Sequence, residues 1–235
     1  MDQIETCGDC PVKHQSFCGG LCEQDLARLN QAGRRHKLHR GDTLCWAGED
    51  SSLCANVLDG VLKVVAVTPD GREQTVGLHH RADFVGNPYG EVSEYTVTAV
   101  TDTNVCIFPR SSFERMLGES KDLETQILKR TLTALSEART RILTLMNRSA
   151  EAKVAGFILE LADRAGATAA QATPDGPVTF DLPLTRSEMA EVLGLTIETV
   201  SRQVNGLKAE GILGLPGVRS VTIRDRAALR RRALG

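Results

Sequence analysis

One uninterrupted helical segment constrains this chain more than any other feature. From Lys121 to Ser149 the sequence contains no Pro or Gly, and such a run can stay helical for about eight turns. Seven positions along it recur at spacings of three and four, which places them on one face of the helix: Leu128, Thr131, Leu135, Ala138, Ile142, Leu145 and Ser149. This face can pack within its own domain or against a partner helix, and a second apolar set allows both: Leu123, Ile127 and Ala134.

A partner helix from a second copy of the chain would produce a two-fold homodimer. Such a dimer suits a palindromic target, because each protomer can bind one half of it. The positions that we assign to dimerisation are Leu128, Leu135, Ile142 and Leu145.

Composition and charge limit the class of protein. The 235 residues suffice for two domains, and 41% apolar with 25% charged residues is typical of a soluble globular protein. No apolar run could span a bilayer, and the N-terminus has no signal region, so we expect a cytoplasmic protein without a membrane partner. From Asp181 onward nine Lys/Arg face six Asp/Glu, a net +3, whereas the preceding residues carry −5. The C-terminal part is therefore the better suited to a polyanion.

Four cysteines lie within sixteen residues near the N-terminus: Cys7, Cys10, Cys18 and Cys22. In a reducing cytosol, clustered cysteines indicate metal or redox chemistry rather than disulfides, and a C-x2-C pair lets two thiolates reach one metal. Thiolates bind zinc and iron–sulfur clusters alike, so the residues alone leave the metal open. A thioredoxin-like use of the first pair would need a preceding strand, for which six residues leave no room.

From His36 to about Pro109 the sequence changes to short β-type runs separated by Gly and Asp turns. Val61 to Val67 is a predicted strand that is followed by the turn Pro69-Asp70-Gly71, and Glu73 to Leu78 is predicted to pair with it as a second strand. Many short strands with glycine turns predict a jelly roll or a similar double-sheet barrel.

The C-terminal third has the layout of a helix–turn–helix. Ala150 to about Ala165 is an amphipathic helix that opens a second domain, and 166–177 is a predicted loop. Thr185 and Glu188 form a capping box before a first helix, Gly194 takes the turn, and Thr196 caps a second helix. Its packing face is predicted to contain four residues: Ile197, Val200, Val204 and Leu207.

The opposite face of the second helix is polar, as a reader of the major groove needs. Arg202 can bind guanine O6 and N7, Glu198 can accept from cytosine N4, and Ser201 can touch a thymine edge. Glu198 and Arg202 are also four residues apart, so a simple surface salt bridge is the alternative. The candidates for phosphate contacts are Thr185, Arg186, Thr196 and Thr199.

Two features follow the second helix. Gly211-Ile212-Leu213 and Pro216-Gly217-Val218 predict a small β wing. A helix from Asp225 then contains four arginines that either attract DNA without specificity or, as we expect, form a solvated tail: Arg226, Arg230, Arg231 and Arg232.

These segments together resemble the CRP/FNR superfamily of bacterial transcription regulators over nearly the whole chain. The resemblance is carried by the turn Ala82-Asp83-Phe84-Val85-Gly86, by the strands from Tyr95 to Pro109, and by Leu195-Thr196-x-Glu198-Thr199-x-Ser201-Arg202. The cyclic-nucleotide branch has an Arg-Ser pair that meets the cyclic phosphate, whereas 86–94 here contains no Arg and two acids. We therefore expect no cyclic nucleotide as a partner.

The oxygen-sensing FNR branch holds a [4Fe–4S] cluster with three N-terminal cysteines and one later cysteine. The resemblance, including the alphaproteobacterial-like C-x2-C-x7-C spacing, implies four ligands in this chain: Cys7, Cys10, Cys18 and Cys106. Cys22 could replace Cys18, because Gly19 and Gly20 separate them. Cys45 and Cys54 are predicted to be packing residues.

The sequence thus predicts an α+β protein: a cyclic-nucleotide-binding-like β jelly roll, a long dimerisation helix and a C-terminal winged helix–turn–helix. The predicted divisions are a cysteine-rich segment (1–24), a β-roll sensor domain (25–120), the dimerisation helix (121–149) and the DNA-binding domain (150–235). The resemblance implies an oxygen-responsive activator, not an enzyme, whose partners are RNA polymerase and double-stranded DNA with TTGAT-like half-sites. The alternatives are a zinc-stabilised regulator without oxygen sensing and a cysteine-ligated electron carrier.

Overall fold

The computed structural model describes residues 7–166 and 177–235. The predicted loop at 166–177 falls almost entirely outside the described residues. The chain divides into two compact units, Met1–Ser136 and Glu137–Gly235, and the division lies within the long helix. The finer four-part division stays a prediction.

The first unit contains two short 3-10 helices, Cys7–Asp9 and Phe17–Gly20, before its main elements. Its strands are β1 (Arg34–Leu38), β2 (Thr43–Cys45), β3 (Leu53–Asp59), β4 (Leu62–Val67), β5 (Glu73–His79), β6 (Phe84–Val85), β7 (Thr96–Ala99) and β8 (Thr103–Pro109). Its helices are α1 (Glu23–Ala32), α2 (Arg110–Glu119) and the beginning of α3 (Lys121–Asn147). The predicted hairpin is confirmed as β4 and β5, and α3 ends two residues before Ser149.

The eight strands form two antiparallel four-stranded sheets, in the orders β1-β8-β3-β6 and β2-β7-β4-β5. Side chains alternate between the two faces of a strand, and the inward faces of both sheets meet in one apolar core. That core contains Leu38, Ala55, Val57, Leu62, Val85, Val97, Ala99 and Val105. The predicted double-sheet β roll is confirmed.

The second unit contains α4 (Ala150–Gly166), β9 (Val178–Asp181), α5 (Arg186–Leu193), α6 (Ile197–Ala209), β10 (Leu213–Gly214), β11 (Ser220–Ile223) and α7 (Arg226–Leu234). Its strands pair in the order β10-β11-β9. The wing differs in detail from its prediction, because residues 216–218 lie between β10 and β11 and Val218 is fully exposed. The first two of these residues, Pro and Gly, both disfavour a strand. None of the helices within the described residues combines the length and hydropathy that crossing a bilayer requires.

The expected solvated C-terminal tail is wrong for the helix as a whole, since α7 is packed into its unit, although Arg230 and Arg231 are exposed. Leu229 is completely buried. Arg226 forms an ion pair with Asp163, and Arg232 bonds Glu151 at 2.9 Å and Glu210 at 2.6 Å. These acids are far from α7 in sequence, which is why the arginine run alone predicted a solvated segment.

We predict that Leu229→Ala lowers the free energy of unfolding by about 2–5 kcal/mol, because it removes buried methyl groups and leaves a cavity. Urea unfolding of the full chain, followed by circular dichroism, measures the change. Leu234→Ala, in the same helix but 72% exposed, is the matched control and should change stability very little. Equal stabilities for the two variants would show that α7 does not pack as described.

Candidate cysteine cluster and nucleic-acid interface

The cysteine-rich segment covers the outer face of the β1-β8-β3-β6 sheet. Phe17 and Cys18 are buried against Cys54 and Phe108, and Val12 packs on Leu58. The sheet residues in these contacts alternate with those that point into the β-roll core, so they belong to the opposite face. Cys106, on β8, also faces this segment and is partly buried there.

Phe17 is the anchor of the segment. Its ring meets Phe84, Phe108 and Phe113 edge to face, with centroid separations of 5.6, 6.2 and 5.6 Å. The same apolar cluster includes Leu123 and, at its edge, Ile127. The segment is therefore packed against the first turns of α3, whereas Ala134, the third member of the second apolar set, is exposed.

Hydrogen bonds fix the backbone beside three of the cysteines. The Cys7 N–H donates to Asn30 Oδ1 at 3.1 Å, and the Cys18 N–H donates to Ser16 Oγ at 3.3 Å. Arg81 Nη2 donates to the carbonyl of Pro11, next to Cys10, at 2.6 Å. These bonds hold the loop in one conformation without using the thiols themselves.

Four thiols act on one another electrostatically. The pKa of Cys106 is raised to about 12, mainly by burial and also by charges on Cys7, Cys18 and Cys10. The pKa of Cys18 is likewise raised to about 12, mainly by burial and also by Cys7 and Cys10. The pKa of Cys7 is raised by burial and by Cys10. The site therefore favours neutral thiols, and a metal that binds there must displace their protons.

Cys22 lies in a different group. Its sulfur and the carboxylate oxygens of Asp25 and Asp122 lie within 4.8 Å of one another. Asp25 accepts a hydrogen bond from the hydroxyl of Ser120, which ties it to the start of α3. Cys22 is not among the groups that shift the pKa values of Cys7, Cys18 and Cys106. Of the two candidates for the third ligand, the geometry therefore favours Cys18.

The spacing of the four sulfurs bears on the kind of metal. Within residues 7–166 and 177–235, no three of the predicted ligands Cys7, Cys10, Cys18 and Cys106 have sulfurs within 4.8 Å of one another. A tetrahedral zinc ion with Zn–S bonds of about 2.3 Å would hold thiolates about 3.8 Å apart. A [4Fe–4S] cluster separates them further, because each thiolate binds a different iron. The two kinds of metal group thus require different separations between the four sulfurs.

The space and the charges around the four thiols would also suit a bound metal group. A Cβ on Gly33 would lie 3.0 Å from Cys106 Sγ and 2.8 Å from the Phe108 ring, so only glycine leaves this side open. Arg35 offsets part of the rise in the pKa values of Cys7 and Cys106, and Lys13 offsets part of the rise at Cys7. These cations would offset the negative charge of four thiolates. Cys45 and Cys54 lie elsewhere: Cys54 is buried, and Cys45 Sγ lies 3.9 Å from the Tyr95 carbonyl oxygen.

The β roll contains a cavity of about 450 Å³ between its sheets. Its lining includes Val64, Val97, Asn87 and Glu94, and no Lys or Arg is among the described residues that line it.

The helix–turn–helix has the capping box and the glycine turn that the sequence predicts. The Thr185 hydroxyl accepts from the Glu188 N–H at 3.2 Å and the Glu188 carboxylate accepts from the Thr185 N–H at 2.6 Å, while Gly194 has φ +61°. Val200, Val204 and Leu207 are buried. Ile197 was predicted on the same face but is 43% exposed, because it is the first residue of α6 and extends beyond the packed surface.

The predicted reading face of α6 is open. Glu198 and Arg202 are exposed, and Ser201 is half-buried beside them. No ion pair joins Glu198 to Arg202 in the part of the chain that the structure describes. Hydrogen bonds from its own backbone N–H and from Thr196 hold the pKa of Glu198 below its usual value, so this acceptor is charged.

The predicted phosphate contacts gather at two helix N-termini. Thr185 and Arg186 begin α5, and Arg186 is half-buried with Nη1 3.6 Å from Met189 Sδ. Thr196 begins α6, where its hydroxyl accepts from the Thr199 N–H at 3.2 Å. Helix N-termini offer free N–H groups to anions, so both positions suit a phosphate.

An apolar stripe on α3 is exposed in the part of the chain that the structure describes. Leu128, Leu135 and Ile142 are 57, 45 and 55% exposed, and Leu145 is half-buried. Exposed residues beside them extend the stripe beyond the predicted set: Leu132, Leu143 and Met146. A heptad count that included the second column of apolar residues would have found them.

Two family profiles match this chain in sequence. The profile described as cyclic nucleotide-binding domain matches residues 35–120, and the profile described as Crp-like helix-turn-helix domain matches residues 152–232. Together they account for the β roll and for the second unit.

Named proteins match over most of their length. The chain is 40% identical to the transcriptional activator protein FnrL of Cereibacter sphaeroides, over 96% of this chain and 91% of that protein. It is 32% identical to the nitrogen fixation regulation protein FixK of Bradyrhizobium diazoefficiens, over 89% and 86%. The solved structure of FixK2 from Bradyrhizobium japonicum superposes with a TM-score of 0.74 at 28% identity, covering 85% of this chain and 96% of that one. The names of these relatives describe regulators and not enzymes, which agrees with the prediction that this chain is not an enzyme.

We predict that Cys18→Ser lowers the bound metal per chain, whereas Cys22→Ser leaves it unchanged, because only the first sulfur faces the other three. Elemental analysis of protein purified without air gives the metal content, and circular dichroism confirms that each variant is folded. Normal metal in Cys18→Ser with loss in Cys22→Ser would reverse the assignment of the third ligand.

Proposed function

The chain belongs to the CRP/FNR family as a transcription regulator of the FNR and FixK type, and we propose that it senses oxygen through a [4Fe–4S] cluster. In this proposal it is a cytoplasmic homodimer that binds palindromic DNA with TTGAT-like half-sites at low oxygen and activates RNA polymerase there. No cyclic nucleotide takes part. The observation that carries the proposal is the gathering of four cysteine thiols on a sheet face that is packed against the start of α3.

Cys7, Cys10, Cys18 and Cys106 are the residues that would hold the cluster. When bound, the cluster supplies an iron–sulfur centre whose stability depends on oxygen, a property that zinc lacks. The chain supplies the thiolates, excludes water with Phe17 and Phe108, and places Arg35 and Lys13 nearby as compensating positive charge.

The coupling to DNA runs through the packing of Phe17. Because Phe17 and Cys18 share an apolar cluster with Leu123 and Ile127, the conformation of the cysteine segment affects the first turns of α3. Ligation of Cys18 fixes that segment, and its release removes the constraint. We propose that the fixed state favours pairing of α3 through Leu128, Leu135, Ile142 and Leu145, which brings two recognition helices to two half-sites.

The direct test is to purify the protein without air, measure iron and sulfide, and then admit oxygen while following binding to a TTGAT palindrome. We expect about four irons per chain, a coloured protein, and loss of colour together with DNA binding. Analytical ultracentrifugation in the same samples should show dimer before oxygen and more monomer after it. A colourless zinc protein whose DNA binding ignores air would remove the sensing proposal and leave the DNA-binding one.

For base reading, we predict that Arg202→Ala weakens binding to the TTGAT palindrome about tenfold or more, within the 1–3 kcal/mol that a bidentate arginine–guanine pair contributes. On a probe with that guanine replaced, the variant and the unaltered protein should bind equally. Fluorescence anisotropy at fixed salt measures both. Arg231→Ala, an exposed arginine of α7, controls for loss of one positive charge. An equal loss on both probes would mean that Arg202 contacts the backbone and not a base.

A further inference from the structure

Asn56 is a polar residue in an apolar place. It lies in the middle of β3, its side chain is 2% exposed, and its Oδ1 is buried without a hydrogen-bond partner among the described residues. A buried amide oxygen that lacks a partner is destabilising. A hydrophobic residue would pack better at this position unless the amide meets something that the polypeptide does not provide.

The register of the sheet shows what Asn56 faces. It stands directly opposite Cys106 on β8 and opposite Phe84 on β6. Directly opposed residues of antiparallel strands point to the same face, with Cβ atoms about 4.5–5.5 Å apart. The amide is therefore a cross-strand neighbour of a predicted cluster ligand.

The residues around Asn56 place it beneath the cysteine segment. Cys54 lies two residues before Asn56 on β3 and packs with Phe17 and Cys18. Leu58 lies two residues after Asn56 and packs with Val12, and Cys10 and Cys106 border that contact. Asn56 thus lies between the two places where the segment meets the sheet, on the side that carries all four thiols.

We infer that the Asn56 amide donates an N–H to a sulfur of the bound cluster, either a cysteine thiolate or an inorganic sulfide. This inference rests on the function proposed above. A half-turn of the amide exchanges its oxygen and nitrogen ends, so the NH2 group can take the position of the unpartnered oxygen. The backbone N–H groups of Cys7 and Cys18 do not supply this donor, because they already donate to Asn30 and Ser16.

We expect this hydrogen bond to change the properties of the bound cluster and not the amount of cluster that the protein binds. Hydrogen bonds to cluster sulfurs draw off negative charge and set the reduction potential, and outer groups of this kind typically change metal-site properties by about 10–100-fold. Asn56 is accordingly a positioning residue that keeps the bound cluster harder to oxidise.

The test compares Asn56→Leu, which keeps the volume and removes the amide, with the unaltered protein. In the loaded protein we expect the visible absorbance to decay about tenfold faster in air and the reduction potential to become more negative. In the metal-free protein we expect an equal or higher melting temperature, because an unpartnered polar group has been removed. Asn104→Leu makes the same substitution at an exposed position of β8 two residues from Cys106, and it should leave all three measurements unchanged.

A second substitution protects the test against misfolding. Asn56→Thr keeps one donor in a side chain that suits a strand, and its decay rate should lie between those of the other two proteins. Resonance Raman bands of the Fe–S bonds should shift in D2O for the unaltered protein and less for Asn56→Leu. Unchanged decay, potential and deuterium shift in a loaded Asn56→Leu protein would overturn this inference alone. Failure of the unaltered protein to bind iron and sulfide would instead overturn the proposed function.

Discussion

The burial of Phe17 is the interaction on which the first unit depends. One aromatic ring joins the cysteine segment to β6, β8 and α2, and its apolar cluster continues to the start of α3. The segment is otherwise rich in polar residues and glycine, and it could not cover a sheet face by itself. Because this anchor lies next to Cys18, any chemistry at that thiol acts on the same packed group that supports α3.

The cysteine site combines two opposing requirements. Burial and mutual repulsion favour protonated thiols, which opposes the thiolate form that a metal needs. The compensation is local: Arg35 and Lys13 supply positive charge, Gly33 leaves room, and Asn56 offers an amide. These groups would lower the free-energy cost of holding four thiolates around a metal.

Local signals in the sequence were enough for most of the fold, and distant contacts explain what they missed. The capping box of Thr185 and Glu188, the turn at Gly194 and the β4–β5 hairpin depend on residues within a few positions of one another, and all were predicted. The ion pairs that hold α7, such as Arg226 with Asp163, join residues more than sixty positions apart. The same holds at the cysteine site. The predicted ligands are those that the resemblance implies, but Asn56 is recognisable only after the strand register places it opposite Cys106.

The exposed stripe on α3 bears on how sharply such a protein can respond. If two chains must pair through Leu128, Leu135 and Ile142 before both half-sites are filled, the amount of dimer follows the square of the concentration of competent chains. Halving the number of competent chains then leaves about a quarter of the dimer under weak association. A stripe that pairs only weakly thus converts a gradual chemical change in each chain into a steeper change at the promoter, without any cooperative contact beyond the helix itself.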